Sequence, residues 1–136
     1  MFLGTYTLKF SGKGRVILPK KLREEVQGSN LILSFGFETC IWGFSKLDFE
    51  SQAQKQLEIS ATEEQARNLR RYLFSSSEPV ELDGQGRFVI PSILLDFARI
   101  KDVIVIIGAG DHFEVWDKKL WSKNIIELGR KYGRLP

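Results

Sequence analysis

The chain has 136 residues, enough for one domain or for two half-size units that share a core. Apolar residues make up 43% and charged residues 27%, so an ordinary globular protein is expected and intrinsic disorder is not. The single cysteine excludes an intrachain disulfide, and Cys40 with His112 cannot supply the four ligands of a Cys/His zinc site. We therefore expect neither a metal nor a cofactor.

The sequence shows no membrane segment. The longest unbroken apolar run, residues 103–107, is far shorter than the roughly 18 residues that a transmembrane helix needs. The first four residues, MFLG, lack the basic region that opens a signal peptide. We therefore expect a cytoplasmic protein with no membrane partner.

The net charge of +3 is small, but the basic residues are unevenly distributed. Between positions 9 and 23 there are six bases and no acid, so the rest of the chain carries a net negative charge. Such a cluster can attract a polyanion, and a solvated surface is the alternative. The six bases are Lys9, Lys13, Arg15, Lys20, Lys21 and Arg23.

An internal repeat organises the chain. The segment GKGRVILP at 12–19 recurs as GQGRFVIP at 84–91, an offset of 72 positions. The match continues at the same offset, and after a shift of two residues Ile41-Trp42 aligns with Val115-Trp116. We infer two copies of one unit, in which both tryptophans occupy matching core or interface positions.

Each copy is predicted to begin with a short strand, at 6–10 or 80–82, followed by a Gly-x-Gly turn. A second strand runs to Pro19 or Pro91, and each proline suits the first turn of a short helix. Two more strands complete each copy. The predicted helices are 20–26 and 92–98, and the predicted strands are 31–35, 39–43, 103–107 and 113–117.

Helices are predicted between and after the copies. Ser45 is the expected N-cap of a helix at 46–57, and Thr62 with Gln65 suggests a capping box for a helix that ends at Phe74. The last helix, 118–131, matches the helix after Ser45 in position. The expected boundaries are 5–47 for the first repeat, 48–76 for the helical connector, 77–120 for the second repeat and 121–136 for the C-terminal helix and tail.

A copy of about 45 residues is too small to bury its strands alone. We therefore predict an α+β fold in which two β-α-β units are intertwined as a pseudo-twofold β core. A strand, Gly-x-Gly-Arg, three apolar residues, proline and a short helix resemble the AbrB-like swapped-hairpin DNA-binding fold. Two such copies in one short chain resemble the MraZ family of transcriptional regulators, and the resemblance extends over residues 1–121.

The resemblance implies a sequence-specific DNA-binding regulator that is not an enzyme. Members of this family bind short direct repeats upstream of the division and cell-wall gene cluster and regulate their own operon. They assemble into homo-oligomeric rings, often octamers. We therefore expect double-stranded promoter DNA as partner, further copies of this chain, and a nucleoid-associated location.

The resemblance also implies that DNA is bound through a loop with an Asp-x-x-x-Arg motif. This motif maps onto Asp83 and Arg87 in the second copy, and onto Ser11 and Arg15 in the first, where the acid is missing. An aspartate across a tight turn can accept from the guanidinium and hold its orientation, whereas Ser11 offers a neutral hydroxyl. We therefore predict Asp83 and Ser11 as orienting residues.

The basic residues suit DNA for different reasons. Arginine matches the O6/N7 edge of guanine, lysine suits phosphate oxygens, and glycine-turn amides can approach phosphates. We expect Arg15 to read bases and the first copy to dominate the contact, because the matching window of the second copy carries Glu81 and Asp83 beside Arg87. The predicted DNA-binding residues are Lys9, Lys13, Gly14, Arg15, Lys20, Lys21, Arg23 and Arg87.

Two other functions are considered. An oligomeric scaffold or antitoxin-like protein-binding module is disfavoured because protein interfaces are depleted in lysine. A small enzyme is disfavoured because histidine and cysteine are scarce and the acids show no paired spacing. On this interpretation His112 is a turn residue, Cys40 packs in the core, and a patch of Arg67, Arg70 and Arg71 is solvated or faces another subunit.

Overall fold

The first copy folds in the predicted order. The computed structural model describes residues 1–10 and 13–133, so Ser11 and Gly12 of the first turn lie outside the described residues. The elements of the first copy are β1 (Thr5–Lys9), β2 (Arg15–Ile17), α1 (Lys20–Arg23), β3 (Asn30–Phe35) and β4 (Ile41–Ser45).

The second copy repeats this order after a helical connection. Helices α2 (Lys46–Leu57) and α3 (Glu64–Ser76) lead from β4 into the second copy. Its elements are β5 (Glu78–Glu81), β6 (Arg87–Val89), α4 (Ser92–Phe97), β7 (Val103–Gly108) and β8 (Phe113–Asp117), followed by α5 (Lys118–Tyr132).

Several boundaries differ from the prediction for local reasons. Helix α1 ends at Arg23 rather than 26, because the next amides bond three residues back, as Glu25 N does to Leu22 O at 3.1 Å. Strand β4 begins at Ile41 rather than 39, because Glu38 and Thr39 have φ of 62° and 65° and form the turn before it. The conformation of the neighbouring turns therefore sets the end of α1 and the start of β4.

The two predicted helix caps have opposite outcomes. Ser45 is confirmed as the N-cap of α2, since its Oγ accepts from Asp48 N at 3.1 Å. The capping box at Thr62 is wrong, because α3 starts at Glu64 and its N-cap, Glu63, makes no side-chain cap. Thr62 N instead donates to Ser60 Oγ at 3.2 Å in the preceding turn.

The strands of the two copies are interleaved in one antiparallel sheet. Within the described residues the sheet has the strand order β1-β7-β8-β4-β3-β5, so each copy's first strand pairs with the third strand of the other. Strands β2 and β6 form a separate two-stranded ribbon. The α+β class is confirmed. When each strand is replaced by its equivalent in the other copy, the strand order is the same from either edge of the sheet.

The sheet corrects the predicted match between the tryptophans. Strands β4 and β8 share one burial pattern and each is followed by a helix, which aligns Ser45 with Asp117. Trp42 therefore corresponds to Glu114, which it faces across the β4–β8 pair, and Trp116 corresponds to Phe44. The shift of two residues matched residue types, whereas the bounds of β4 and β8 align at the unshifted offset of 72 positions.

The sheet separates two layers. One face carries the main core, in which the ribbon and the short helices α1 and α4 contribute buried residues such as Leu18, Leu22 and Leu94. Helices α2, α3 and α5 contact residues of the opposite face, as in the contact of Trp116 with Trp121. Helix α3 also reaches the core side, where Tyr72 contacts Phe35 and Phe97.

Candidate nucleic-acid interface

The β2–β6 ribbon presents two arginines on its outer face. Val16 and Phe88 face each other at its centre and are both buried. Because successive side chains point to opposite faces of a strand, Arg15 and Ile17 lie outward from β2, as do Arg87 and Val89 from β6. Arg15 is paired with Val89 and Ile17 with Arg87, so the two arginines are diagonal neighbours.

The turn of the second copy is built around Asp83. Its Oδ1 accepts from Gln85 N at 2.8 Å and from Arg87 N at 2.9 Å. Its Oδ2 accepts from Arg87 Nε at 2.8 Å, so the carboxylate orders the turn and orients the guanidinium. The predicted geometry of this motif is therefore present, although its contact with DNA remains a prediction.

The same hydrogen bonds change the acidity of Asp83. The backbone and side-chain N–H groups of Arg87 lower the pKa of this carboxyl from 3.8 to about 2. The stabilisation that follows is present above pH 3.8 and is lost as the pH falls towards 2. The carboxylate is therefore charged, and holds Arg87, throughout the physiological range.

The two turns are joined by reciprocal backbone hydrogen bonds. Ile90 N donates to Gly14 O at 3.0 Å, and Leu18 N donates to Gly86 O at 2.9 Å. Both glycines are buried with φ of +79° and +78°, a conformation that other residues rarely adopt. Gly14 thus meets a structural demand of the turn in addition to its predicted part in DNA binding.

Arg23 lies behind the second turn rather than in a separate patch. Its guanidinium packs over Gly86, and Nη1 donates to Gln85 O at 3.3 Å. Its Nε is buried without a hydrogen-bond partner among the described residues. The counterpart of Arg23 in the second copy, Leu95, packs against Gly14 in the same way, so each copy supports the turn of the other.

The predicted lysines are all exposed. Lys9 ends β1, Lys13 precedes β2 with a φ of 30°, and Lys20 and Lys21 open α1.

The acids of the second copy lie close to the ribbon as well. Arg15, Glu81, Asp83, Arg87, Phe88 and Val89 line one shallow depression.

Two arginines of the second predicted patch have a local structural role. Arg67 Nη1 donates to Ala61 O at 3.1 Å and to Thr62 O at 3.0 Å. Arg70 Nη2 donates to Ile59 O at 2.5 Å. They bind carbonyls at the end of α2 and in the following turn, which lack helical partners, so this pair has a structural role that the predicted patch did not include.

His112 is more than a turn residue. Its Nδ1 lies 2.8 Å from Asp111 Oδ1 and its Nε2 lies 2.9 Å from Glu114 Oε2, while its ring lies 4.1 Å from that of Trp42 at an angle of 33°. Burial lowers the pKa of His112, but the hydrogen bonds with Glu114 and Asp111 outweigh it and raise the pKa overall. The flanking acids were a signal in the sequence that its interpretation as a turn residue overlooked.

Cys40 packs in the core, as predicted. The residue is buried and its thiol donates to Phe37 O at 3.0 Å. Burial raises the pKa of the Cys40 thiol well above its usual range, which opposes formation of a nucleophilic thiolate.

Over residues 1–10 and 13–133, no cluster of three metal-ligating side chains occurs. No helix in the same residues is long and apolar enough to cross a membrane.

Known proteins are similar to this chain in sequence. The chain matches the family described as "MraZ protein, putative antitoxin-like" over residues 1–72 and again over 73–131. It is 40% identical over 122 residues to the Transcriptional regulator MraZ of Leifsonia xyli subsp. xyli, which covers 90% of this chain and 85% of that protein.

Two further relatives carry the same name. The chain is 36% identical over 126 residues to the protein of Methylococcus capsulatus, covering 90% of this chain and 83% of the relative. It is 36% identical over 134 residues to that of Saccharopolyspora erythraea, covering 98% of this chain and 93% of the relative. Since both family matches and these relatives span most of the chain, the chain belongs to the MraZ family.

Proposed function

We propose that this protein is a sequence-specific DNA-binding transcriptional regulator. The observation that carries the proposal is the two-stranded ribbon, which holds Arg15 and Arg87 on one outward face. A ribbon of this kind fits the major groove, where arginine recognises guanine. The names of the relatives support a regulator rather than an enzyme.

The residues around the ribbon divide into base-reading and positioning groups. Arg15 and Arg87 read base edges, and Lys13 contacts a phosphate or a base. Lys9, Lys20 and Lys21 contact phosphates, which fixes the register of the protein on the duplex. Asp83 orients Arg87, Ser11 takes the corresponding position before Arg15, and Gly14 and Arg23 support the turns.

The proposal includes the assembly that the family resemblance implies. Head-to-tail contacts between copies close into a ring, which presents the same ribbon repeatedly in one sense along the DNA. Direct repeats in the protein's own promoter suit this arrangement better than a palindrome does. An octameric ring needs only weak binding by each protomer, because several ribbons engaged together add avidity. The regulator would then act at the nucleoid.

Fluorescence anisotropy across a salt series tests this function. The probe is a duplex from the protein's own upstream region, and the control is a scrambled duplex of the same composition. We expect tighter binding to the native duplex, with a logarithmic salt slope of roughly −0.9 per phosphate contact. Equal, salt-sensitive binding to both duplexes would contradict sequence-specific reading. No binding at low salt would favour the scaffold or antitoxin-like alternative.

A further inference from the structure

Two adjoining cavities lie along helices α2 and α3, and together we call them the α2–α3 groove. The first is a cavity of about 160 Å³ lined by five aromatic rings. The second is bordered by Ile59, Glu63 and Glu64, and Gln56 and Leu69 line both cavities. The five rings are those of Phe37, Trp42, Phe44, Phe49 and Phe74.

The groove contains an unsatisfied hydrogen-bond acceptor. Gln56 Oε1 is buried and has no hydrogen-bond partner among the residues that the structure describes. A buried acceptor without a donor is destabilising, so an occupant with one N–H or O–H group is favoured. Glu63 and Glu64 at the rim favour an occupant that carries positive charge as well.

The end of helix α5 has this chemistry. Tyr132 is a large aromatic residue that is 80% exposed, and the two residues before it are Arg130 and Lys131, both exposed. A phenol has an apolar ring with a single hydroxyl donor. A cavity near 150 Å³ accepts a benzene ring, so the aromatic end of the groove is large enough for the side chain of Tyr132.

We propose that the end of α5 of one protomer docks into the α2–α3 groove of a second copy of this chain. Tyr132 enters the aromatic cavity and donates its hydroxyl to Gln56 Oε1, while Arg130 and Lys131 face Glu63 and Glu64. This inference rests on the ring assembly proposed above and identifies its contact. Tyrosine and arginine are also the residues that most often dominate the energy of protein interfaces.

The position of these surfaces is compatible with a ring that binds DNA. The groove and the end of α5 are different parts of one protomer, so their contact is head-to-tail and can be repeated. Helix α5 contacts β7 and β8, whereas the groove lies over β3 and β4. The aromatic cavity is lined by Ser34, Trp42 and Phe44 on the sheet face opposite the ribbon, so its occupation leaves Arg15 and Arg87 open to DNA.

Two variants each remove one half of this contact. Tyr132→Ala removes the anchor, and Ala53→Leu fills the cavity, which Ala53 lines, with a residue that favours helix. Ile126→Ala is the matched control, because Ile126 is 56% exposed on the same helix but has no part in the contact. Sedimentation velocity measures assembly, and circular dichroism verifies that every variant is folded.

We expect the unchanged protein and Ile126→Ala to form the same oligomer, and each of the other variants to be monomeric. An equimolar mixture of Tyr132→Ala and Ala53→Leu should then form a heterodimer and nothing larger, because only one intact contact remains. An unaltered assembly in either folded variant would overturn the proposal. So would a mixture that stays monomeric, or a monomeric unchanged protein.

A second pair of variants isolates the hydrogen bond. Tyr132→Phe keeps the ring and leaves Gln56 unsatisfied, so association should weaken roughly two- to tenfold. Adding Gln56→Leu removes the unsatisfied acceptor and should restore much of the loss, because replacing both partners with apolar groups is nearly neutral. Independent effects of the two substitutions would contradict the bond.

Binding to a duplex with one repeat separates this inference from the proposed function. The Tyr132→Ala monomer should bind that duplex as a wild-type protomer does, because its ribbon is unchanged. If Tyr132→Ala binds this duplex normally and its assembly is unchanged, the docking contact alone is refuted. Loss of specific binding by the unchanged protein refutes the DNA function, whatever its state of assembly.

Discussion

The two Gly-x-Gly-Arg turns have nearly the same sequence and different chemistry. In the second turn, Asp83 binds two backbone amides and the guanidinium of Arg87. In the first, the corresponding position is Ser11, and Arg15 belongs to a window of six bases without an acid. One repeat has thus produced an arginine fixed by a carboxylate and an arginine in a strongly basic segment of the sequence.

The difference suggests a division of labour between the copies. A fixed orientation favours accurate base reading by Arg87, whereas the net positive charge of the first copy adds attraction to phosphates to the base reading by Arg15. The two properties conflict, because the carboxylate that orients the guanidinium also repels the backbone of DNA. Two fused copies allow one chain to have both properties on a single ribbon.

The largest expected effect comes from removing each arginine in turn. Arg15→Ala should weaken specific DNA binding by about 1–3 kcal/mol, as expected for loss of a base contact. Arg87→Ala should cost less, because Glu81 and Asp83 lower the positive charge around the second turn. Anisotropy with the native duplex measures both. Equal losses would contradict the dominance of the first copy.

The glycines of the two turns provide a stability comparison with an internal control. Gly14→Ala and Gly86→Ala should each lower the free energy of unfolding by about 1–2 kcal/mol, because both residues have positive φ. The loss should be greater at Gly14, where the added Cβ meets the backbone Ile90 O at 2.9 Å, than at Gly86, where it meets a flexible arginine.

Gly84→Ala is the control for these variants, since a Cβ at that position has no atom within 4 Å. Its free energy of unfolding should change by less than about 0.5 kcal/mol. Urea denaturation of the three variants gives the comparison. A cost at Gly84 equal to that at Gly86 would mean that positive φ is not the cause.

A smaller difference between the copies lies at the centre of the sheet, where Trp42 of one faces Glu114 of the other. His112 packs against Trp42 and lies between two carboxylates, which satisfy both ring nitrogens only when the imidazole is protonated. Because folding raises the pKa of His112, its stabilisation is complete below pH 6.5 and is lost as the pH rises through the higher pKa.

The melting temperature of the unchanged protein should therefore fall as the pH rises from 6.5 towards 8, and His112→Gln should remove the part of this fall that His112 causes. Differential scanning calorimetry at a series of pH values measures the melting temperature of both proteins. A variant with the same pH profile as the unchanged protein would exclude His112 as the cause.

The smallest expected effect comes from making the copies more alike. Glu81→Lys gives the second copy the base that the first has at Lys9, on a strand position that is exposed. We expect slightly tighter DNA binding, with a salt slope steeper by at most about 0.9. Lys101→Ala, at an exposed site outside the repeat motif, is a charge control. An unchanged slope would place position 81 away from the DNA backbone.

Local signals in the sequence predicted the elements well. The glycines, prolines and alternating apolar residues act over a few neighbours, and they predicted strands β2 and β6, the short helices and the cap at Ser45 but not the pairing of the two strands as a ribbon. The match between Trp42 and Trp116 failed because identical residue types were weighed above the constant offset of 72 positions between the strands of the two copies. The capping box at Thr62 failed because the preceding turn used its backbone amide instead.

Contacts between distant residues could not be read from the same patterns. Arg23 looked like a free base, but it packs on a turn 62 positions later, and this depends on how the copies are interleaved. Arg67 and Arg70 looked like a basic patch, but the path of the chain between α2 and α3 brings carbonyls to them. In each case the tertiary fold decides the role of the side chain.

The interleaved sheet has a consequence for synthesis of the chain. Strand β1 is among the first segments to leave the ribosome, but Thr5 pairs with Ile107 and Lys9 with Val103. At roughly 5–20 residues per second, β1 waits on the order of 5–20 s for its partner with an unpaired edge. First copies on neighbouring ribosomes can pair with each other during that interval. Slow translation of this protein therefore favours entangled chains, and faster translation favours correct folding.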